Sequence, residues 1–482
     1  MRILIGLGLL GLAAVAEARV LGSVDFVPCD LDGANSVRIK AECARFEVAE
    51  DPAAPAGRRI VLQLALVPAR SSRAAPDPVV MLAGGPGQSA LEAFPDVASA
   101  YEPLRKHRHI LLIDQRGTGK SNPLKCPLPD WKDPAAQTGA ALRRQAAECL
   151  AGLSPRADPR FYTTTDAIRD LEAVRQALGA PLLNLVGGSY GTRVGLEYLR
   201  RHPDAVRTLV LDAVVPPELA LLQDHAVNLD ATIEAILAAC HADAVCARRF
   251  GDPRQTLARL RAELRARPRP AAYVDPLTHV PRTETLNEML LAAIVRLYAY
   301  QPETAALLPL LLGETAAGRP QALMAQGELI FQRLGDALAH GMELSVICTE
   351  DVPFLRPDPA DAGTLLGQQL IALTQEQCAV WPRGELPADF KQPVTSGKPV
   401  LLLSGERDPV TPPRYAEQVA RTLPNSRALV LNGQGHTVMI RGCAPKLVRD
   451  FVQAASVAGL DAACLDALAA LPAFTSYQGP EP

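Results

Sequence analysis

Short, unbroken apolar runs alternate along the chain with stretches of helical spacing. Strand-length runs lie at Val79–Ala83, His109–Ile113, Leu182–Val186 and Thr208–Asp212. Between Arg45 and Ala69 there are two more, the better being Arg59–Val67. Continuous apolar runs of this length fit strands covered on both faces. Asp166–Gly179 is spaced as an amphipathic helix. Thr192–His202 carries Val194, Leu196, Tyr198 and Leu199 among polar residues before Pro203 stops it. Strand, helix, strand at this spacing predicts βαβ units and a parallel sheet.

Near Val215 the pattern changes. From Pro216 to about Pro393 the chain is rich in Ala, Leu and Arg with helical spacing and many prolines, and strand signals nearly vanish. Strand pattern resumes at Lys398–Gly405 and again at Ser426–Leu431. The expectation is an α/β fold with a mostly parallel sheet flanked by helices and an inserted, mainly helical lid. Its core comprises 19–215 and 396–482, with the lid at 216–395.

Between the run ending at Val186 and the helix from Thr192 stands Gly187-Gly188-Ser189-Tyr190-Gly191. A G-x-S-x-G on a strand-to-helix turn reads as a nucleophile elbow, whereas the same pentapeptide in a loop would be a glycine-rich turn with an idle serine. Ser189 must then take strained backbone angles, and glycine at 187 and 191 removes the clashes that such a turn creates. A serine nucleophile needs a base, and the base needs an orienting acid, in the order Ser, Asp or Glu, His. Asp408 sits in the turn after the strand at Leu401–Ser404, and His436 in Asn432-Gly-Gln-Gly-His436 after the last strand. Both loops belong at the sheet edge where Ser189 emerges. Glu406 is the rival acid on the same turn. The backbone N–H of Tyr190 and that of Gly85, in Gly84-Gly85-Pro86-Gly87, are the candidate oxyanion donors.

Composition narrows the class further. The 482 residues are 48% hydrophobic and 21% charged, with net charge −3. No basic stripe or acidic tail suggests nucleic acid. Gly119-Lys120-Ser121 ends like a P-loop, but Asp114 stands where the first glycine belongs, which argues against a nucleotide site. Residues 1–18 have the features of a signal peptide: Arg2, an apolar stretch from Ile3 to Val15, and Ala16-Glu17-Ala18 as the cleavage site. About 13 apolar residues is short for a span, so no stable membrane anchor is expected after cleavage. The ten cysteines fall into near neighbours: Cys29/Cys43, Cys126/Cys149, Cys240/Cys246, Cys348/Cys378 and Cys443/Cys464. In an exported protein, periplasmic or secreted, proximity suggests five local disulfides. No C-x-x-C pair points to a metal knuckle.

Gly84–Gly87, Asp114-Gln-Arg-Gly-Thr-Gly-Lys-Ser121, Gly187–Gly191, the Asp408-Pro-Val-Thr-Pro412 turn and Gly435-His436 together resemble the prolyl and tripeptidyl aminopeptidase family of α/β-hydrolases, from about Val79 to His436. The family often has His before its Gly-Gly-Pro-Gly run, where this chain has Ala83. The resemblance implies a serine exopeptidase that uses no metal or organic cofactor and acts on peptide substrates with a free N-terminus. Such an enzyme must hold an ammonium, for which a buried carboxylate is the physical means. Ser345–Pro353 looks like the segment that does this in exported tripeptidyl members, which gives Glu350 as the anchor and Asp351 as second candidate, held rigid by Cys348–Cys378. The alternatives are a secreted carboxylesterase or lipase-like hydrolase using the same triad, and a catalytically dead binding module. The latter would show a lost triad member, and none is lost.

Overall fold

The computed structural model describes residues 19–33, 37–130 and 132–480. The expected signal segment, 1–18, lies outside the described residues. The strands of the main sheet are β1 (Arg19–Leu21), β2 (Val24–Asp32), β3 (Arg38–Ala49), β4 (Arg59–Val67), β5 (Val79–Leu82), β6 (Ile110–Ile113), β7 (Leu183–Gly188) and β8 (Val206–Asp212). It is completed by β11 (Val400–Gly405) and β12 (Ser426–Leu431), while β9 (Arg269–Val274) and β10 (Pro281–Leu286) pair as a separate hairpin.

Among the described residues the sheet has ten strands in the order β1-β2-β3-β4-β6-β5-β7-β8-β11-β12. Pairing is antiparallel from β1 to the β4–β6 junction and parallel from β6 onward. The parallel half explains the apolar runs: β7 reads buried from Leu183 to Gly187, and all six residues of β11 are buried. The antiparallel N-terminal strands were less legible. β2 and β3 are half-exposed and alternate only loosely, so no continuous apolar run marks them.

Helices cover both faces. On one lie α1 (Ala90–Arg105) and, near the C-terminus, α15 (Ala444–Ala454). On the other lie α2 (Gly139–Leu153), α3 (Thr164–Ala177), α4 (Tyr190–Arg201) and α14 (Pro413–Ala420). Between β8 and β11, adjacent parallel strands in the sheet, the chain leaves to form α5 (His225–Ala242), α6 (Ala244–Phe250), α7 (Pro253–Ala266) and α8 (Glu288–Tyr298). It continues through α9 (Pro302–Ala305), α10 (Leu308–Ala316), α11 (Gln321–Ala337), α12 (His340–Glu350) and α13 (Gln369–Cys378). The helices α5, α7, α8, α10 and α11 share a core of their own with the β9–β10 hairpin. Sequence pattern gave no hairpin there, because β10 is exposed along most of its length and carries no apolar face.

Helix α12 behaves differently from the rest of this helical segment. Met342, Leu344, Val346 and Ile347 pack into the cluster that includes β7, α3 and α4, not into the segment's own core. It is buried on every side, from His340 to Glu350 save the half-buried Glu343. A helix buried all round shows no amphipathic contrast by which a sequence could tell its cavity face from its core face.

Five disulfides pair the cysteines as proximity suggested, Cys29–Cys43, Cys126–Cys149, Cys240–Cys246, Cys348–Cys378 and Cys443–Cys464. The P-loop-like stretch is structural. Asp114 accepts N–H bonds from Leu91 and Lys120, both at 3.1 Å, and so fixes the start of α1 to the end of β6. Arg116 forms a two-pronged ion pair with Asp170 on α3, at 2.7 Å each.

Helix α12 is fastened to α4 through ions. Arg193, with a side chain 2% exposed, donates to both oxygens of Asp351 at 2.9 Å and lies 3.5 Å from Glu350. Removing one member of a buried pair strands the other, at about 3–5 kcal/mol. Arg193→Met is therefore expected to lower unfolding free energy by about that amount in a urea titration. A cost below about 1 kcal/mol, the value of an exposed pair, would show that the contact is not the clamp described.

Candidate active site

The turn between β7 and α4 carries Ser189 at φ 53°, a left-handed conformation costing a non-glycine residue about 1–3 kcal/mol. Its neighbours have to be glycine. A Cβ on Gly187 would lie 2.4 Å from the Gly191 carbonyl oxygen, and one on Gly191 would lie 2.2 Å from that of Leu82. Thr192 closes the turn, its N–H and Oγ1 donating to the Ser189 carbonyl at 2.8 and 2.7 Å.

Asp408 follows β11 and is 1% exposed. One carboxylate oxygen accepts the N–H groups of Val410 and Thr411, each at 2.8 Å. The other accepts from Thr411 Oγ1 and from His436 Nδ1, each at 2.8 Å. Burial works against charge on Asp408, but His436 and these donors hold its carboxyl below the usual carboxylate range. Burial likewise opposes charge on His436, yet the Asp408 carboxylate outweighs it and raises the imidazole above its ordinary value. Glu406, on the same turn, accepts instead from the Gly433 N–H at 2.7 Å. Asp408 is the acid that meets the histidine.

The loop bearing His436 is held from two directions. Its N–H donates to the Tyr300 carbonyl at 2.7 Å, and Gln301 Nε2 donates to its carbonyl at 3.0 Å. Just beyond it, the N–H groups of Val438 and Met439 donate to Asp212 at 2.8 and 2.7 Å. Asp212 ends β8 and is fully buried, which pushes its carboxyl up to about 6 despite those donors. Thr411 and Asp212 were not singled out by sequence. For Thr411 the signal was present, three residues after the acid in the turn; for Asp212 it was only its place at a strand's end.

Gly84 and Gly85 bring a loop over the elbow. A Cβ on Gly84 would lie 3.3 Å from the Ser189 Cβ, and Gly85 has φ 101°. The Gly85 N–H and the Tyr190 N–H have no acceptor among the described residues. The Tyr190 side chain points away into the core, paired with Gln115 and Thr164.

A cavity of about 660 Å³ is lined by Ser189, His436, Gly84 and Gly85 together with residues of α8, α11, α12 and α13. Glu350 and Asp351, expected from the sequence to hold a substrate's ammonium, are not among its lining residues. Glu350 accepts from the Thr164 N–H at 2.7 Å and its Oγ1 at 2.8 Å, and burial pushes its carboxyl up to about 7. Asp351 accepts from Arg193, from the Leu221 N–H and from Lys391, all at 2.9 Å. Both carboxylates are committed to partners inside the protein. The Asp408–His436 pair, beside a serine and two free amides, is an arrangement that can move a proton from a hydroxyl and hold a developing oxyanion.

The fold and this arrangement define the chain as an α/β hydrolase. Residues 77–308 match the family described as alpha/beta hydrolase fold, and residues 364–464 match the one described as TAP-like protein. The tripeptidyl aminopeptidase of Streptomyces lividans is 27% identical over 94% of this chain and 88% of its own length. Serine protease Hip1 of Mycobacterium tuberculosis is 24% identical over 90% and 88%. Proline iminopeptidase of Neisseria gonorrhoeae is 30% identical over 30% of this chain and 36% of its own. The chain has the α/β-hydrolase fold, and its matches are those of a serine hydrolase with a TAP-like C-terminal part.

Because Asp408 raises His436, activity that needs a neutral imidazole here is expected to fall with acid through a midpoint above the ordinary 6.5. Asp408→Asn should move that midpoint down. A kcat/KM profile with the same acid limb in both proteins would show that the pair does not set it.

Proposed function

We propose that this protein is an exported serine aminopeptidase acting through an acyl-enzyme. Ser189 Oγ attacks the scissile carbonyl carbon while His436 Nε2 takes its proton, and Asp408 holds the imidazole in the required tautomer and stabilises its charged form. The oxyanion is received by the N–H groups of Gly85 and Tyr190. His436 returns the proton to the leaving amine, and a water deprotonated by the same ring then releases the acyl group. Residues 1–18 direct export, to the periplasm or the medium. The helical segment 216–395 acts as a lid on a core of 19–215 and 396–482.

The observation that carries this reading is the Asp408–His436 pair beside one cavity that Ser189 and Gly85 also line. The aminopeptidase part is supported by the tripeptidyl aminopeptidase and Hip1 relatives, which match nearly the whole chain. A second reading, a carboxylesterase, is favoured by the leucines of α11, α12 and α13 that make much of the cavity wall apolar.

Paired chromogenic anilides, identical but for a free or acetylated N-terminus, separate the two when run beside a short-chain ester. Cleavage of free-amine anilides alone, abolished by Ser189→Ala and reduced about 10⁴-fold by Asp408→Asn, is the expected result. Ester turnover without anilide cleavage, or indifference to acetylation, leaves the esterase.

A further inference from the structure

With Glu350 and Asp351 committed elsewhere, the site still needs a group for the substrate's ammonium. Glu343 lies two turns earlier on the same helix and lines the cavity. Its side chain is 27% exposed, and no lysine or arginine lies within ion-pair distance of it among the described residues. Its partner is His340, whose Nδ1 is 2.8 Å from Glu343 Oε2. On the other side of that ring, Gln377 Nε2 of α13 lies 3.0 Å from His340 Nε2. An amide N–H can only donate, so Nε2 accepts and the ring proton sits on Nδ1, facing Glu343. The ring fixes the carboxylate's direction at a largely apolar wall, where a cation is attracted more strongly than in water.

Glutamate in a first helical turn also suits the helix dipole. That accounts for an acid at this position. It does not account for a buried histidine and glutamine arranged to aim it, nor for its place on the cavity wall.

The start of α12 is pinned to the oxyanion loop. The Ala339 N–H donates to the Gly87 carbonyl at 2.9 Å, and Leu338 bridges to Gln88. From there the cavity wall runs along the helix through His340, Glu343, Leu344 and Ile347.

We propose that Glu343, oriented by His340 and Gln377, binds the N-terminal ammonium of the peptide substrate. This assignment rests on the aminopeptidase reading. The basic side chain lining the same cavity, Arg296 of α8, stands near His225 and makes no ion pair with Glu343.

The test compares wild type, Glu343→Gln and Glu343→Asp on alanyl, dialanyl and trialanyl anilides with free N-termini, with p-nitrophenyl butyrate as the reference without an ammonium. The readout is the anilide-to-ester ratio of kcat/KM within each protein, so that a general loss of folded enzyme cancels. The expected result is that wild type cleaves free-amine anilides of at least one length. Glu343→Gln should lower the ratio for them about 10- to 100-fold, mainly through KM, the range of a charge-assisted hydrogen bond. Glu343→Asp should retain part of it. Wild type that cleaves free-amine anilides with a ratio unchanged in Glu343→Gln overturns the anchor and leaves the aminopeptidase standing. Wild type that cleaves no free-amine anilide overturns the aminopeptidase reading itself.

Discussion

A buried guanidinium holds α12 against α4. Arg193 lies one turn into α4, directly after the strained Ser189, and its charge is met by Asp351 at the end of α12. Burial disfavours its charge, yet the two carboxylates keep it firmly protonated. A pair like this contributes little net stability over an apolar substitute, but it is costly to break, and so it fixes one geometry. Here that geometry is the placement of α12 against α4. Helix α12 begins against the Gly84–Gly87 loop and carries Glu343 along the cavity. Backbone strain at Ser189 can persist only where its surroundings over-determine it, and the buried ions behind α4 are part of those surroundings.

The base is held by parts of the chain distant in sequence. Gly405 at the end of β11 approaches the Gly435 carbonyl so closely that a Cβ would stand 1.9 Å from it. Tyr300 and Gln301, from the helical segment, bind the His436 backbone, and the Tyr300 ring packs edge-on to the imidazole at 5.2 Å. The helical segment is thus a structural member of the site as well as its cover. Movement of this segment would disturb the histidine as well as the entrance.

What could be read in the sequence was whatever a local pattern encodes. Buried parallel strands are continuous apolar runs, Ser189 and Asp408 stand in turns after two of them, and His436 lies in the loop after the half-exposed last strand, so both sheet and candidate triad were visible. Glu406 and Asp408 were nearly equivalent by position; only the fold shows one bonded to Gly433 and the other to His436. The surroundings of Glu350 could not be read locally because they are set at long range. Its partners, Thr164 and Arg193, are 186 and 157 residues away, and nothing in the local spacing of α12 marks an inner and an outer face. Glu343 was overlooked for the same reason. Its role depends on Gln377, which reaches it only through His340 and the packing of α13 beside α12.

The central claim is that Ser189 is the nucleophile, activated by His436 and Asp408. The most direct measurement treats the folded protein with a fluorophosphonate and locates the adduct by peptide mass spectrometry, in wild type and in His436→Ala. The account predicts one adduct, on Ser189, formed rapidly in wild type and far more slowly without the histidine. An adduct on another residue, or a Ser189 adduct formed equally fast in both proteins, would contradict it.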